Sequence, residues 1–377
     1  MEAIAVCLFG MESTVSYELK KLGYKISSVT DGRVTFETDG LGVARANISL
    51  RCAERILVKA GMFKATTFDE LFENVKQIPF EQYIQKDSKF NVTKVRSINS
   101  KLVSQKDTQT IVKKAIVSRL QKLYNTTWFE ETGGEHNIHI FINKDMVELT
   151  FDTTGPALHK RGYRELSGVA PIRETIAAYM VMATPWKNDR IFVDPMCGSG
   201  TIAIEAAMYG DNIMPGVNRN FDGESLSFIK PEAWKQARKE AIEGEYNKDF
   251  KILAYDNDPA MILLAKENAA TAGVDHLIDF KLQDIKDLDT QKEYGFIVTN
   301  PPYGERLGEK EEVEDLYRLM GKVFKKMPTW NIYLISTHEE TEQLLGMKAT
   351  KKQKIYNGKL KSNFFMFPGP KPPRNNK

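Results

Sequence analysis

Apolar and polar positions alternate along three short runs near the start of the chain and recur at helical spacing in two others. Residues 3–9 (AIAVCLF) predict a strand, and 12–22 (ESTVSYELKKL) a helix stopped by Gly23. YKISSV and RVTFET predict two strands joined at Asp31-Gly32, a pair suited to the left-handed residues of a tight hairpin. LGVARANIS predicts a helix and RILVKAGMF a strand, which completes the order βαββαβ. A second α+β unit follows. It has a helix near 68–75, a strand at 89–95 (KFNVTKV), a long helix at 106–124, and a hairpin pairing NIHIFIN with MVELTFDT across Lys144-Asp145. In the long helix Ile111, Val112, Ala115, Ile116, Leu120 and Leu123 recur at core spacing, while Lys113, Lys114 and Lys122 fall on the other face.

Residues 156–188 predict a connector: the basic, glycine-broken LHKRGYRE, then APIRETIAAYMVMAT as an amphipathic helix ending before Pro185. From Arg190 the pattern becomes strand, helix, strand. RIFVD, KILAYD, LIDFKLQD, YGFIVTN and NIYLIST are strand-like, with TIAIEAAMYG, PAMILLAKENAATAG and VEDLYRLMGKVFKKM as intervening helices. Apolar strands alternating with helices predict an α/β domain whose mostly parallel, doubly wound sheet is covered on both faces. KKQKIYN and NFFMFP would close it as an antiparallel hairpin. The expected organisation is a ferredoxin-like domain at 1–66, an α+β domain at 67–155, the connector at 156–188, the doubly wound domain at 189–367 and a disordered basic tail at 368–377.

Composition narrows the class. A chain of 377 residues with 42% hydrophobic and 27% charged residues is of ordinary globular type and long enough for several cores. No apolar run approaches the roughly 18 residues of a membrane span, and MEAIAVCLFGMES lacks the basic start of a signal peptide. Cys7, Cys52 and Cys197 form neither a disulfide framework nor a paired zinc pattern, so no metal is expected and a reducing cytoplasm fits. Net charge is only +3, but it is unevenly spread. Between Lys94 and Lys122, Lys94, Arg96, Lys113, Lys114 and four further cations face the single acid Asp107. Residues 348–377 hold nine Lys or Arg and no acid. Such stretches are either solvated faces or contacts to a phosphate backbone.

In an open α/β sheet, ligands sit beyond the C-terminal strand ends. The first such end reads Asp194-Pro195-Met196-Cys197-Gly198-Ser199-Gly200-Thr201, the second Asp256-Asn257-Asp258-Pro259, the third Gln283-Asp284, and the fourth Asn300-Pro301-Pro302-Tyr303. One acid at such a place is commonly a helix cap; the ordered set of four is not explained by capping. The glycine loop lacks the third glycine of a dinucleotide fingerprint, and no phosphate-binding loop with Lys is present. A nucleoside ligand without phosphates fits better, with Asp256 on a ribose diol and Asp284 near an adenine amine. Cys197 sits within the glycine loop and reads as a small loop residue.

The set DPMCGSGT, YDNDP, QD and NPPY resembles the S-adenosylmethionine-dependent methyltransferases of the Rossmann-like class, in the family's order of motifs. The resemblance implies cofactor contacts from Asp194, Pro195, Cys197, Gly198, Ser199, Gly200, Thr201, Asp256, Asn257 and Asp284. It implies catalysis at Asn300, Pro301, Pro302 and Tyr303: the Asn300 side-chain oxygen and the Pro301 carbonyl accept hydrogen bonds from an exocyclic amine, and Tyr303 stacks on the base. NPPYGER, together with His159-Lys160-Arg161-Gly162-Tyr163-Arg164 and APIRET, resembles guanine-N2 RNA methyltransferases more closely. The N-terminal units resemble a ferredoxin-like domain followed by a THUMP RNA-binding domain. As a whole the chain is similar to the RlmL half of bacterial 23S rRNA methyltransferases, without the second methyltransferase that some relatives carry. That implies 23S rRNA or a large-subunit precursor as partner, no membrane, and a monomer. Lys94, Arg96, Lys113, Lys114, Lys160, Arg161, Arg164 and Arg306 are the candidate RNA contacts. Three other readings share these features: a tRNA methyltransferase, an N6-adenine DNA methyltransferase, and a non-catalytic RNA-binding or ribosome-assembly protein.

Overall fold

The computed structural model describes residues 1–164, 172–303, 309–357 and 360–373. They divide into two compact units. One comprises Met1–Cys7, Ser16–Leu158 and Arg219–Glu240; the other comprises Leu8–Val15, His159–Asn218 and Ala241–Lys377.

The N-terminal elements are β1 (Glu2–Cys7), α1 (Glu12–Lys21), β2 (Ile26–Thr30), β3 (Arg33–Glu37), α2 (Gly40–Ser49), β4 (Ala53–Lys64), α3 (Phe68–Gln77), β5 (Lys89–Ile98), α4 (Gln105–Tyr124), β6 (Glu135–Asn143) and β7 (Met146–Asp152). They build one sheet of seven strands in the order β2-β3-β1-β4-β7-β6-β5. β4 is long enough to serve two partners. Its first half pairs with β1, and Leu57 to Lys64 pair with β7. The βαββαβ motif and the following α+β region therefore share a sheet, which supplies apolar burial that neither short motif could provide alone. On α4 the stripe Thr108, Val112, Ala115, Ile116 and Leu120 is buried. In the last turn, which Asn125 ends in a left-handed conformation, Leu123 is 51% exposed rather than core.

The remaining elements are α5 (Glu174–Met182), β8 (Phe192–Asp194), α6 (Thr201–Gly210), α7 (Pro231–Glu243), β9 (Ile252–Asp256), α8 (Pro259–Ala272), β10 (Ile278–Leu282), β11 (Phe296–Thr299), α9 (Glu309–Phe324), β12 (Asn331–Ser336), α10 (Thr341–Leu345), β13 (Lys351–Asn357) and β14 (Leu360–Phe367). The second sheet runs β10-β9-β8-β11-β12-β14-β13. Its first five strands are parallel, and β14 and β13 are antiparallel. The mostly parallel α/β architecture with its closing hairpin is as expected. The differences lie in the helices. α5 is not amphipathic: Glu174 through Val181 are all buried, because one side packs on α6 and Tyr179 meets Phe364 of β14 at 5.8 Å. α7 and the short α10 occupy stretches for which no element was read from the sequence; the signal for α7 is Trp234, Ala237 and Ala241, buried at helical spacing among charges. Residues 368–373 carry neither helix nor strand, and the rest of the expected tail lies outside the described residues.

Candidate active site

The sheet order lays the four strand ends side by side: Asp284 after β10, Asp256 ending β9, Asp194 ending β8, and Asn300 after β11. Between β8 and β11 the strand order reverses, which is where an open α/β sheet leaves a crevice.

Asp194 is buried there. Its carboxylate accepts the Thr299 hydroxyl at 2.8 Å and the Met196 N–H at 3.4 Å, tying the end of β8 to the end of β11. Burial pushes its pKa up to about 7, with the Asp256 charge adding to the rise. The same surroundings raise the buried Cys197 thiol, by burial first and then by Asp194 and Asp256, so it stays protonated and is no nucleophile. The Cys197 N–H donates to the Tyr255 carbonyl at 2.8 Å, anchoring the glycine loop to β9.

Asp256 holds the loop from the other side. One oxygen accepts the Gly198 N–H at 2.8 Å and the other the Asp258 N–H at 3.0 Å. Asp258 in turn caps α8 through the Ala260 N–H at 2.8 Å, and Asn257 is exposed beside it. Gly198 and Gly200 both have left-handed φ, +51° and +83°. A Cβ at Gly200 would come within 3.0 Å of the Ala265 Cβ, so this glycine lets the loop approach α8. A Cβ at Gly198 would meet nothing within 4 Å. That glycine faces open space next to the Asp256 carboxylate, where the sequence predicts a nucleoside. Pro195 and Thr201 are buried at the two ends of the loop. The Ser199 hydroxyl lies 3.4 Å from that of Thr201. Asp284 accepts the Lys286 N–H at 2.9 Å.

Asn268 was not anticipated. It sits on the buried stripe of α8 with Ile262, Ala265 and Ala269, and its amide donates to the Ser199 carbonyl at 2.9 Å. A polar residue on a buried helical stripe was the signal available.

Arg161 and Arg164 do not face outward. Glu205 is fully buried on apolar α6, and a buried carboxylate needs a partner. The Arg161 Nε lies 3.3 Å from its Oε1 and the Tyr163 hydroxyl 3.1 Å from it. Arg164 pairs with Glu174 at 2.7 Å and donates to the Thr201 hydroxyl at 3.3 Å. The expected phosphate contacts at these two positions are thereby corrected to interior charge pairing beside the glycine loop. Lys160 is exposed. Arg306 lies outside the described residues.

At the fourth strand end Tyr303 donates its hydroxyl to the Asn300 side-chain oxygen, the acceptor expected for an incoming amine. Pro301 is buried and Pro302 exposed. Beneath the loop, Tyr317 of α9 lies 3.4 Å from the Pro302 carbonyl and 2.8 Å from the Ser336 hydroxyl; Thr341 lies 2.7 Å from the His338 carbonyl. Each hydroxyl has one proton, and the carbonyls can only accept. Every group is satisfied if Tyr317 donates to Pro302, Thr341 to His338, and Ser336 to Tyr317. Ser336 also accepts the His338 N–H at 3.0 Å. Burial raises the Tyr317 pKa to about 12, so it remains a donor at neutral pH. Among the described residues no group of three or more His, Cys, Asp or Glu could hold a metal, and no helix is long and apolar enough to cross a membrane.

Three family models match: "RMKL-like, methyltransferase domain" over residues 161–364, "RlmL ferredoxin-like domain" over 2–57, and "THUMP domain" over 65–152. "Putative RNA methyltransferase YpsC" of Bacillus subtilis strain 168 is 47% identical over 97% of this chain and 95% of its own. Ribosomal RNA large subunit methyltransferase K/L of Vibrio parahaemolyticus is 33% identical over 95% of this chain. The chain spans 52% of that relative's length. The solved structure of SMU.472, "a putative methyltransferase complexed with SAH", superposes with a TM-score of 0.93 at 38% identity, covering 99% of both chains.

Proposed function

We propose the function from a single premise: this chain belongs to the RMKL-like methyltransferase family. S-adenosylmethionine is its cofactor, and it supplies a methyl group made electrophilic by the sulfonium. The target is RNA, and within RNA the exocyclic N2 amine of a guanine in 23S rRNA, modified in the cytoplasm. The observation that carries this reading is the row of strand ends, in which the open cradle at Gly198 and Asp256 stands beside Asn300-Pro301-Pro302-Tyr303. The THUMP match favours RNA over DNA, and the name of the K/L relative favours the large-subunit RNA.

The residues divide the work by position. Asp256 and Asp284 hold the nucleoside through its diol and amine, while Asp194, buried below, keeps the loop and β11 together. The lone pair of a base amine is delocalised into its ring. Two fixed acceptors, the Asn300 oxygen and the Pro301 carbonyl, draw on its N–H groups as positive charge develops there. The Asn300 oxygen has two lone pairs, so it can accept the amine beside Tyr303 or in its place; a Tyr303 that turns away from it offers its ring to the base. The prolines fix φ and Tyr317 holds the Pro302 carbonyl, so the acceptors need little reorganisation.

Tyr317→Phe removes one hydroxyl and keeps the ring. It should slow single-turnover methyl transfer about fivefold, the equivalent of one hydrogen bond of ~1 kcal/mol, with cofactor affinity unchanged. An unaltered rate would mean that the prolines alone hold the loop.

The product test uses rRNA and tRNA from a strain lacking the gene, incubated with the protein and labelled cofactor and then digested to nucleosides. The expected product is labelled N2-methylguanosine from 23S rRNA. Label on adenine overturns the guanine assignment and leaves amine chemistry intact; label confined to tRNA overturns the ribosomal one.

A further inference from the structure

The two halves of the basic stretch that begins at Lys94 lie on opposite faces of the first sheet. On β6 and β7, Ile138, Ile140, Val147 and Leu149 point toward α3 and α4, so His139, Phe141, Glu148 and Thr150 point the other way. β5 changes phase part-way. Phe90 and Val92 pack into the core beneath the helices, and strict alternation would send Lys94 and Arg96 after them. A bulge between Val92 and Lys94 inserts Thr93 and reverses the phase. Val95 becomes buried, and Lys94 and Arg96 emerge on the helix-free face, opposite His139 and Phe141 respectively. Lys113 and Lys114 stand on the outer side of α4, across the sheet.

The helix-free face is rich in cations. Arg33 pairs with Glu148, Arg55 with Asp152 and Lys59 with Glu2. Lys94 and Arg96 are exposed, and among the described residues neither forms an ion pair with a carboxylate. His139 adds no charge. Its pKa is lowered to about 3, by burial first and then by Lys94, Arg55 and Arg33, so those cations are felt together there. The Phe141 ring lies beneath the Arg33 guanidinium at 4.6 Å, with that of Arg96 at 6.0 Å. Unpaired cations beside an aromatic ring on an open sheet suit a polyanion that also has flat bases.

We propose that this helix-free face, centred on Lys94, Arg96 and Phe141, is where the RNA substrate lies, and that the lysines of α4 do not contact it. The inference rests on the RNA-methyltransferase reading above. It selects one of two basic surfaces that the sequence leaves equivalent. Lys94 and Arg96, two residues apart on one strand, stand roughly 7 Å apart along it, a step comparable to that between successive phosphates. The bulge that aims them interrupts the sheet ladder at an edge strand, and its visible effect is to place two cations in solvent.

The full chain carrying Lys94→Ala with Arg96→Ala is compared with Lys113→Ala with Lys114→Ala, using a 23S rRNA transcript as probe and titrating across salt concentrations. The sheet-face pair should weaken binding by at least tenfold. It should also reduce the slope of log affinity against log salt by about 1.5, as expected for two lost phosphate contacts. The helix pair should bind within twofold of wild type. Both variants should keep wild-type thermal midpoint and cofactor affinity, since all four positions are exposed. Loss carried by the helix pair, or wild-type binding by the sheet-face pair, overturns the inference. Failure of the RNA reading looks different: the wild-type chain itself would then transfer no methyl group to RNA.

Discussion

Asn300→Ala lowers the single-turnover rate of methyl transfer by about 10²–10³, or roughly 2.7–4 kcal/mol of transition-state stabilisation, while cofactor affinity stays at the wild-type value. The expectation follows from where charge appears. Before transfer the amine nitrogen is close to neutral, and a hydrogen bond to the Asn300 oxygen has only the ordinary strength of one between neutral groups. As the methyl arrives, the nitrogen becomes positive and its N–H groups become stronger donors. The bond to Asn300 therefore strengthens along the reaction coordinate, and its loss falls on turnover rather than on RNA binding. In the structure that oxygen accepts from Tyr303. Rapid-quench measurement with saturating RNA separates the two effects. A wild-type rate in Asn300→Ala would refute the acceptor mechanism, whatever base carries the label.

Asp256→Ala weakens S-adenosylmethionine binding by one to two decades, from the loss of charged hydrogen bonds of roughly 1.5–3 kcal/mol each. Two contributions act in the same direction. The carboxylate would be lost as a partner for the ribose diol. The Gly198 N–H and the Asp258 N–H would also lose their acceptor, leaving the glycine loop held to β9 by the Cys197–Tyr255 backbone bond alone among these contacts and the start of α8 less firmly fixed. Asp256→Asn keeps an acceptor oxygen for one of these N–H groups and should lie between the wild type and Ala. Calorimetry with cofactor alone measures all three. Equal affinity in wild type and Asp256→Ala would remove this residue from the cofactor site.

Much of this was legible because it depends on local order. The alternation of RIFVD, KILAYD, YGFIVTN and NIYLIST predicts parallel strands, as does the length of the helices between them. Once those strands are parallel, Asp194, Asp256, Asp284 and Asn300 must emerge at the same edge, since each follows a strand run in the same direction. The glycines were legible for a similar reason: positive φ is a property of single residues. Asn268 was harder to see, because its role depends on which side of α8 faces the loop.

The sequence by itself determined the order of the strands and the edge on which the strand-end residues gather, both of which follow from periodicity over a few residues; the roles expected of those residues came from the resemblance of their motifs. Tertiary structure alone decided which charges meet. Arg161 and Arg164 look like a basic surface segment, but an interior Glu205 and Glu174 draw them inward, since an unpaired buried charge costs more than ordering a long side chain. Lys94 and Lys113 belong to one basic run, yet a single inserted residue in β5 puts them on opposite faces. β4 reads as the last strand of one motif and becomes the shared middle of a seven-stranded sheet, because both of its edges found a partner. Pairing of charges and of strand edges joins residues far apart in the chain, and local pattern carries no record of those partners.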